Sequence, residues 1–498
     1  MTVALWQSIP FACILLPLFG AAVCLALPRR LARLWATFLM AAVTCMSLVF
    51  LVYMIPFGKS YNYPMGHFPA PFGNELRAGT LEAVLGLLFA GLTLICTLGG
   101  SRDAEHDISE GRQGLYHVLL LLMEAAMMAQ VYTNDLFTAY VFVEIMTIAG
   151  CGLIAVRSEP GRAIVSAMRY MIMNSIGSAM FLLGIILIYD LTGHLLMENL
   201  HDSVVQLQAG GQYSQPLTMV VALLCSGLAV KSALFPFHSW VPDAYSTATP
   251  ASASLLASLV SKSYIIVMLK VVFRILGTDV INAARMDDVF FVFGAAGMLI
   301  GSAVAITVPD VRRLVAWSSV AQIGYIFLGL GLHAGDAAVW HILTHAAAKS
   351  ILFLSLPSLI PAGSDGSLRD LRGAGYRAPL AGVAFTTGAL SLIGIPLMGG
   401  FITKLTLAQA ALGAGGAHMW ISLAALVLST VLNVGYMLRC VLVFYSHPEE
   451  DAVPAAAPVR RGFALASVLV VLIAANIALL VFAQPILTAI RSGFAMFD

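Results

Sequence analysis

The sequence predicts an all-α polytopic membrane protein with about 14 transmembrane helices, on three observations. Of the 498 residues, 60% are hydrophobic and only 10% charged, with mean hydropathy +0.92, a balance that rules out a soluble globular domain and demands lipid. Apolar stretches near the roughly 20 residues that cross a hydrocarbon core of about 30 Å recur along the whole chain. Two of them, the seventh and the twelfth, are broken by proline at comparable places. Backbone amides in lipid must be bonded internally, so the stretches are helices; a barrel would need alternating strands of about ten residues.

In order, spans are expected near 6-27, 33-55, 80-98, 115-131, 135-156, 167-191, 217-235, 250-274, 287-307, 312-332, 337-360, 380-411, 418-445 and 462-487. The first is apolar from Val3, with no basic segment before it and no small-residue cleavage pattern, so a retained span is expected rather than a cleaved signal. Connections after spans 1, 3, 5, 9, 11 and 13 carry Arg29, Arg30, Arg33, Arg102, Arg112, Arg157, Arg162, Arg312, Arg313, Arg369, Arg372, Arg377, Arg460 and Arg461. The other side holds only Lys59, Arg77, Arg274, Arg285 and Arg491. The positive-inside bias puts the first set in the cytoplasm and both termini outside a prokaryotic inner membrane.

A net charge of +1 gives no electrostatic footprint for nucleic acid. The seven cysteines are scattered without C-x-x-C spacing, which suits helix packing rather than a metal, a cluster or thiol exchange. No nucleotide loop or flavin fingerprint is present, so no cofactor is expected and the chain is not expected to transfer electrons itself.

The chemistry lies in the ionisable residues inside apolar stretches. Of six lysines, Lys231, Lys262, Lys270, Lys349 and Lys404 sit within or at the margins of spans, whereas most arginines fall in connections. A charge at mid-bilayer costs roughly 2.5–3.5 kcal/mol on insertion scales and usually marks an ion or proton pathway. Span 7 runs into Phe235-Pro236-Phe237-His238, and span 12 contains Gly394-Ile395-Pro396-Leu397-Met398-Gly399-Gly400. Proline removes a donor and frees a carbonyl, and polar backbone at that depth must line protein or a wet cavity. Lys231 precedes Pro236 by five residues and Lys404 follows Pro396 by eight. Paired interruptions of this kind hint at an inverted repeat with the transport site at its interface.

Glu144, alone in the middle of span 5, needs a proton or a cation, and Lys231 is the expected partner. The alternative is a static buried ion pair. In span 11, His341, His345 and Lys349 lie at i, i+4 and i+8, within roughly 80° of one face along about 12 Å. Such a stripe suits a proton relay; a metal site lacks the adjacent glutamate and a third ligand. Lys262 is surrounded in sequence by Ser258, Ser261 and Ser263, which could hold a water chain or pack across helices. Lys270 and Arg274 near the end of span 8 could snorkel to the interface and are left out of the pathway. Glu82, Glu124 and Arg169 are weaker candidates. His238 and Asp243, beside the first break, could gate proton entry or serve as caps.

The segment Lys231-Ser232-Ala233-Leu234-Phe235-Pro236-Phe237-His238-Ser239-Trp240-Val241-Pro242-Asp243-Ala244 resembles the antiporter-like membrane subunits of respiratory complex I, energy-converting hydrogenases and Mrp-type sodium/proton antiporters. The likeness continues through Thr249-Pro250 with Lys262, Arg312 to Ser319, Gln322-Ile323-Gly324-Tyr325, His341 to Lys349 and Gly394 to Lys404. It implies fourteen helices, with two inverted five-helix repeats in spans 4-8 and 9-13. The corresponding division is 1-114 as an N-terminal three-helix segment, 115-274 and 287-445 as the repeats, and 446-498 as a C-terminal span. It also implies a proton axis of Glu144, Lys231, Lys262, His341, His345, Lys349 and Lys404, with Lys404 near an exit. Leu256 where the largest complex I homologues and Mrp A subunits tend to carry histidine, Lys404 where another paralogue carries glutamate, and no extension for a lateral helix look most like an Mrp D-type subunit or its counterpart in a membrane-bound hydrogenase.

The expected function is proton movement coupled to sodium exchange, in a complex with other membrane subunits. The alternative is the pumping module of a redox complex: a membrane-bound hydrogenase, formate hydrogenlyase or NADH:quinone oxidoreductase. A purely structural or carbon-uptake role is the third possibility.

Overall fold

A computed structural model describes residues 5–68, 73–157, 160–211, 213–447 and 462–494. Arg460 and Arg461, which entered the orientation argument, lie outside them. Among the described residues, 13 helices are long and apolar enough to cross a membrane. Spans 1–6 are Trp6–Ala26, Arg29–Phe57, Thr80–Gly99, Glu110–Tyr132, Leu136–Ala155 and Gly161–Thr192. Spans 7–11 are Ser214–Lys231, Pro250–Ala283, Met286–Thr307, Val311–Gly331 and Gly335–Leu359. Spans 13 and 14 are Gly416–Phe444 and Phe463–Val481. Two shorter apolar helices, Pro379–Ile393 and Gly399–Ala414, occupy the place of span 12. With that pair the crossings number fourteen.

Span 8 is enclosed along its whole apolar window, and spans 10 and 11 nearly so, whereas spans 1, 2 and 14 leave most of theirs uncovered. The core is thus a group of helices walled by others, with lipid the expected neighbour of the outer faces. Glycines set the closest approaches, as expected where no hydrophobic force draws helices together in lipid and dispersion contact must do so. A Cβ on Gly177 of span 6 would lie 2.7 Å from the Gly227 carbonyl oxygen of span 7, and one on Gly324 of span 10 would lie 2.6 Å from the Gly294 oxygen of span 9.

Both expected breaks are present. Span 7 stops at Lys231, and the chain turns through Ala233 at φ 63 before a short helix, Val241–Thr247. The Leu234 amide donates to the Ala229 carbonyl at 3.0 Å, closing the helix end. Span 12 stops at Ile393, with Gly394 at φ 76. A Cβ on Gly400 would stand 1.9 Å from the Ser391 oxygen, so only glycine lets the second half start there.

Several elements depart from expectation. The last span ends at Val481 rather than near 487, and a separate amphipathic helix, Ala483–Phe494, follows it. An antiparallel hairpin pairs β1 (Tyr61–Pro64) with β2 (Glu75–Ala78), Tyr61 opposite Ala78. Span 8 contains two π-helical segments, Leu256–Val260 and Lys270–Leu276. Such turns disturb the regular carbonyl ladder and leave acceptors for side chains.

Candidate functional site: a buried polar axis

At the first break, Lys231 occupies the last turn of its half-helix, where unpaired carbonyls and the helix dipole favour a positive charge. Its side chain is fully buried, and Nζ lies 3.2 Å from Glu144 Oε1 and donates to Thr147 Oγ1 at 2.8 Å. Ser178 of span 6 donates to the same Glu144 oxygen. Span 5 thus delivers Glu144 and Thr147, one turn apart, to the end of span 7. Thr147 also meets the Tyr264 hydroxyl at 3.2 Å, and Lys231 lies 5.4 Å from the Tyr264 ring centroid, joining the pair to span 8.

Two residues before Tyr264, Lys262 donates to the Ala257 carbonyl, in the first π segment, and to Ser261 Oγ at 3.1 Å. Of the expected serines, Ser258 and Ser263 instead bond main-chain carbonyls of their own helix. Ser254 bonds the Ser350 carbonyl of span 11 at 3.4 Å, linking the two enclosed helices. Lys349 of span 11 reaches span 10, donating to the Val315 carbonyl at 2.6 Å and Ser318 Oγ at 2.5 Å. The charge on Lys262 acts on Lys349, His345 and His341.

One turn apart on span 11, the His345 and His341 rings lie 5.6 Å between centroids. His341 Nδ1 meets Thr403 Oγ1 of span 12 at 3.3 Å; both His345 ring nitrogens are buried without a hydrogen-bond partner among the described residues. A cavity of about 10 Å³, room for the centre of one water molecule, is lined by Gln322, Tyr325, His341, His345, Thr403 and Lys404 among others. Lys404 donates to the Ile393 carbonyl at 2.5 Å and to Thr430 Oγ1 at 2.7 Å. Ile393 ends the first half of span 12, so Lys404 too caps the C-terminus of a broken helix.

The structure therefore brings Glu144, Lys231, Lys262, Lys349, His345, His341 and Lys404 into one sequence of neighbours. His238 and Asp243 stand apart from it. The His238 ring packs on Phe235 and Trp317, at 5.3 and 5.2 Å between centroids. Asp243 accepts from Arg169 of span 6 and, at 2.6 Å, from Arg313 of span 10, clasping those two spans at the surface. Glu124 is fully enclosed in span 4, with neither oxygen hydrogen-bonded among the described residues.

Sequence reasoning missed Lys270 and Arg274. They do not snorkel: they are 2% and 3% exposed. Lys270 instead caps span 4, donating to the carbonyls of Gln130 at 3.0 Å, Val131 at 2.5 Å and Thr133 at 2.9 Å. A nearby helix end with carbonyls to offer outweighs reach for the interface, and the sequence of span 8 alone holds no sign of that end. The hydroxyl partners Thr147, Ser178, Thr403 and Thr430 were also missed, because such residues in apolar helices usually bond their own backbone.

The chain is similar to known proteins in sequence and in fold. A transmembrane family described as NADH:quinone oxidoreductase/Mrp antiporter matches residues 133–433. NADH-quinone oxidoreductase subunit N of Desulforudis audaxviator is 33% identical over 444 residues, 87% of this chain and 85% of that protein. Its counterpart in Desulforamulus reducens is 30% identical, covering 79% and 80%. A chain of the membrane-bound sulfane sulfur reductase, an archaeal respiratory membrane complex, superposes with TM-score 0.87 at 25% identity over 98% of both chains. A chain of the Mrp complex from Dietzia sp. DQ12-45-1b gives 0.86 at 26% identity, over 100% of this chain and 98% of that one. The expected likeness to an Mrp D-type subunit holds only at the level of the superfamily, since the curated relatives carry the subunit N name. On the extent of these matches, the chain belongs to the NADH:quinone oxidoreductase/Mrp antiporter transmembrane family.

Proposed function

We propose that this chain is the proton-translocating, antiporter-like module of a redox-driven membrane complex of the NADH:quinone oxidoreductase type, working beside other membrane subunits. The observation that carries it is the Glu144–Lys231 pair at a helix break, followed by Lys262, Lys349, His345, His341 and Lys404. One carboxylate stands at one end of a file of amines and imidazoles that lack counter-ions of their own. When Glu144 swings away from Lys231, the amine loses its compensating charge and its proton is driven onward; when the pair closes, Lys231 is reloaded. The two halves, 115-274 and 287-445, act as inverted repeats meeting near Lys262 and Lys349. Residues 1-114 and 446-498 flank them, and both termini face outward.

The names of the curated relatives support redox coupling over the sodium exchange first expected. Mrp-type sodium/proton exchange is the second reading, favoured by the superposition on an Mrp chain. The complex purified in mild detergent and reconstituted in liposomes separates them. Redox coupling requires co-purifying electron-transfer subunits and proton uptake that starts on addition of electron donor and quinone. Proton movement driven by a sodium gradient alone, with no such subunits present, defeats it.

A further inference from the structure

Beyond the axis, the outward end of span 8 gathers three cations, Arg77, Lys270 and Arg274, and three carboxylates, Glu75, Glu82 and Glu198. Glu82 acts electrostatically on both Lys270 and Arg274, and Glu75 and Glu198 act on Arg274. Glu75 and Arg77 come from β2 of the hairpin; Asn134 donates to Glu75 at 3.2 Å, and Arg77 lies 3.9 Å from Glu198. Burial lifts the Glu75 carboxyl above the ordinary range, with the Asn134 hydrogen bond opposing.

The polar demand there exceeds what the protein supplies. Among the described residues, all three nitrogens of the buried Arg274 guanidinium lack a hydrogen-bond partner, as do Tyr132 OH, Asn134 Oδ1 and Gln130 Oε1 at the same end of span 4. Donors and acceptors left together in one buried place are the condition under which ordered water occupies a site. Gln130 also donates to the Phe142 carbonyl at 3.1 Å, two residues from Glu144. Lys270 follows Lys262 by eight residues on the same helix, about 12 Å along its axis.

We propose that this cluster is a hydrated proton outlet for the first half of the chain, so that the protein has two outward termini, one beneath the β1–β2 hairpin and one at Lys404. The inference rests on the proton-translocating reading above. A proton arriving from the Lys262 end passes by water to the Glu82 or Glu75 carboxylate, which releases it outward; Lys270 and Arg274 hold those carboxylates in place and bar metal cations by their charge.

The test uses the whole complex in liposomes, with proton uptake per electron measured and assembly checked on native gels. Lys404→Ala is expected to keep about half of wild-type translocation, and Glu82→Gln added to it to remove most of the remainder, with Glu82→Asp restoring it. Arg274→Gln in the Lys404→Ala background is expected to act like Glu82→Gln. Complete loss in Lys404→Ala alone overturns the second outlet, as does a Lys404→Ala/Glu82→Gln variant that pumps like Lys404→Ala. Undiminished pumping by Glu144→Gln sinks the translocation reading itself, and this inference with it.

Discussion

The Glu144–Lys231 pair offers the most direct quantitative test. At 3.2 Å and an effective dielectric of about 20, two unit charges attract by roughly 5 kcal/mol; doubling the separation to about 6.4 Å halves that, a change of roughly 2.6 kcal/mol. At 1.4 kcal/mol per tenfold, opening the pair therefore moves any equilibrium it controls by about two orders of magnitude. Glu144 keeps 28% of its side chain exposed while Lys231 has none, so solvent screens the carboxylate side and the figure is an upper one. Removing one partner leaves the other charge uncompensated, at a cost of about 3–5 kcal/mol in comparable buried pairs. The perturbation is a cycle of Glu144→Gln, Lys231→Met and the double substitution, and the assay is the initial rate of dye-reported acidification in liposomes containing the assembled complex. If the pair acts as one unit, each single variant loses at least tenfold, and the double loses no more than the worse single. Losses that multiply in the double variant, or rates within twofold of wild type in either single, refute the reasoning.

Three further perturbations follow from other parts of the structure. His345→Phe removes an imidazole whose nitrogens have no hydrogen-bond partner among the described residues, so translocation is expected to fall to about half, the share left to the outlet beneath the hairpin, while the thermal midpoint stays within about 2 °C; equal loss of both would make the residue structural. Gly177→Val forces a branched side chain against the Gly227 oxygen and Lys231 Cγ, which a Cβ already meets at 2.7 and 3.0 Å; overpacking of about 1–3 kcal/mol is expected, read as a lowered midpoint together with impaired pumping. Asp243→Asn weakens two ion pairs to arginines that are half exposed or more, each worth about 0–1 kcal/mol. A midpoint shift of a few degrees with translocation retained is expected, and loss of translocation in intact complex would return Asp243 to the entry role considered from sequence.

What the sequence made legible follows from which physical rules act locally. Span count, the two breaks and the file from Glu144 to Lys404 were readable because lipid leaves few ways to bury a charge or a proline, and each exception stands out against an apolar background. The boundaries of span 8 were not readable: Pro250–Ala283 is a single long helix with π segments, in which polar demand from its neighbours, rather than its own residues, sets the geometry. The hairpin was missed because strands of four residues carry too little alternation to be told from a loop. Lys270 shows the limit most clearly. A lysine near a span end has two ways to satisfy itself, and only the position of the span 4 carbonyls decides between them.

That same preference bears on how the proposed axis works. Lys262, Lys349 and Lys404 each donate to one main-chain carbonyl and one hydroxyl, and none of them has a carboxylate in an ion pair. A carbonyl accepts from an amine whether or not the amine is charged, so these pockets tolerate both protonation states, whereas a fixed counter-ion would hold the charged one. Like charges along the file repel one another, which disfavours filling it all at once. Among the described residues, Lys231 is the one axis lysine paired with a carboxylate, and it is therefore the place where an external event, acting on Glu144, can impose direction. An added counter-ion elsewhere should abolish that asymmetry. Thr430→Asp, beside Lys404, is expected to trap the proton there and cut translocation to about half, as Lys404→Ala does, while leaving the fold intact, and continued translocation at the wild-type rate would show that uncompensated amines are not what makes the path work.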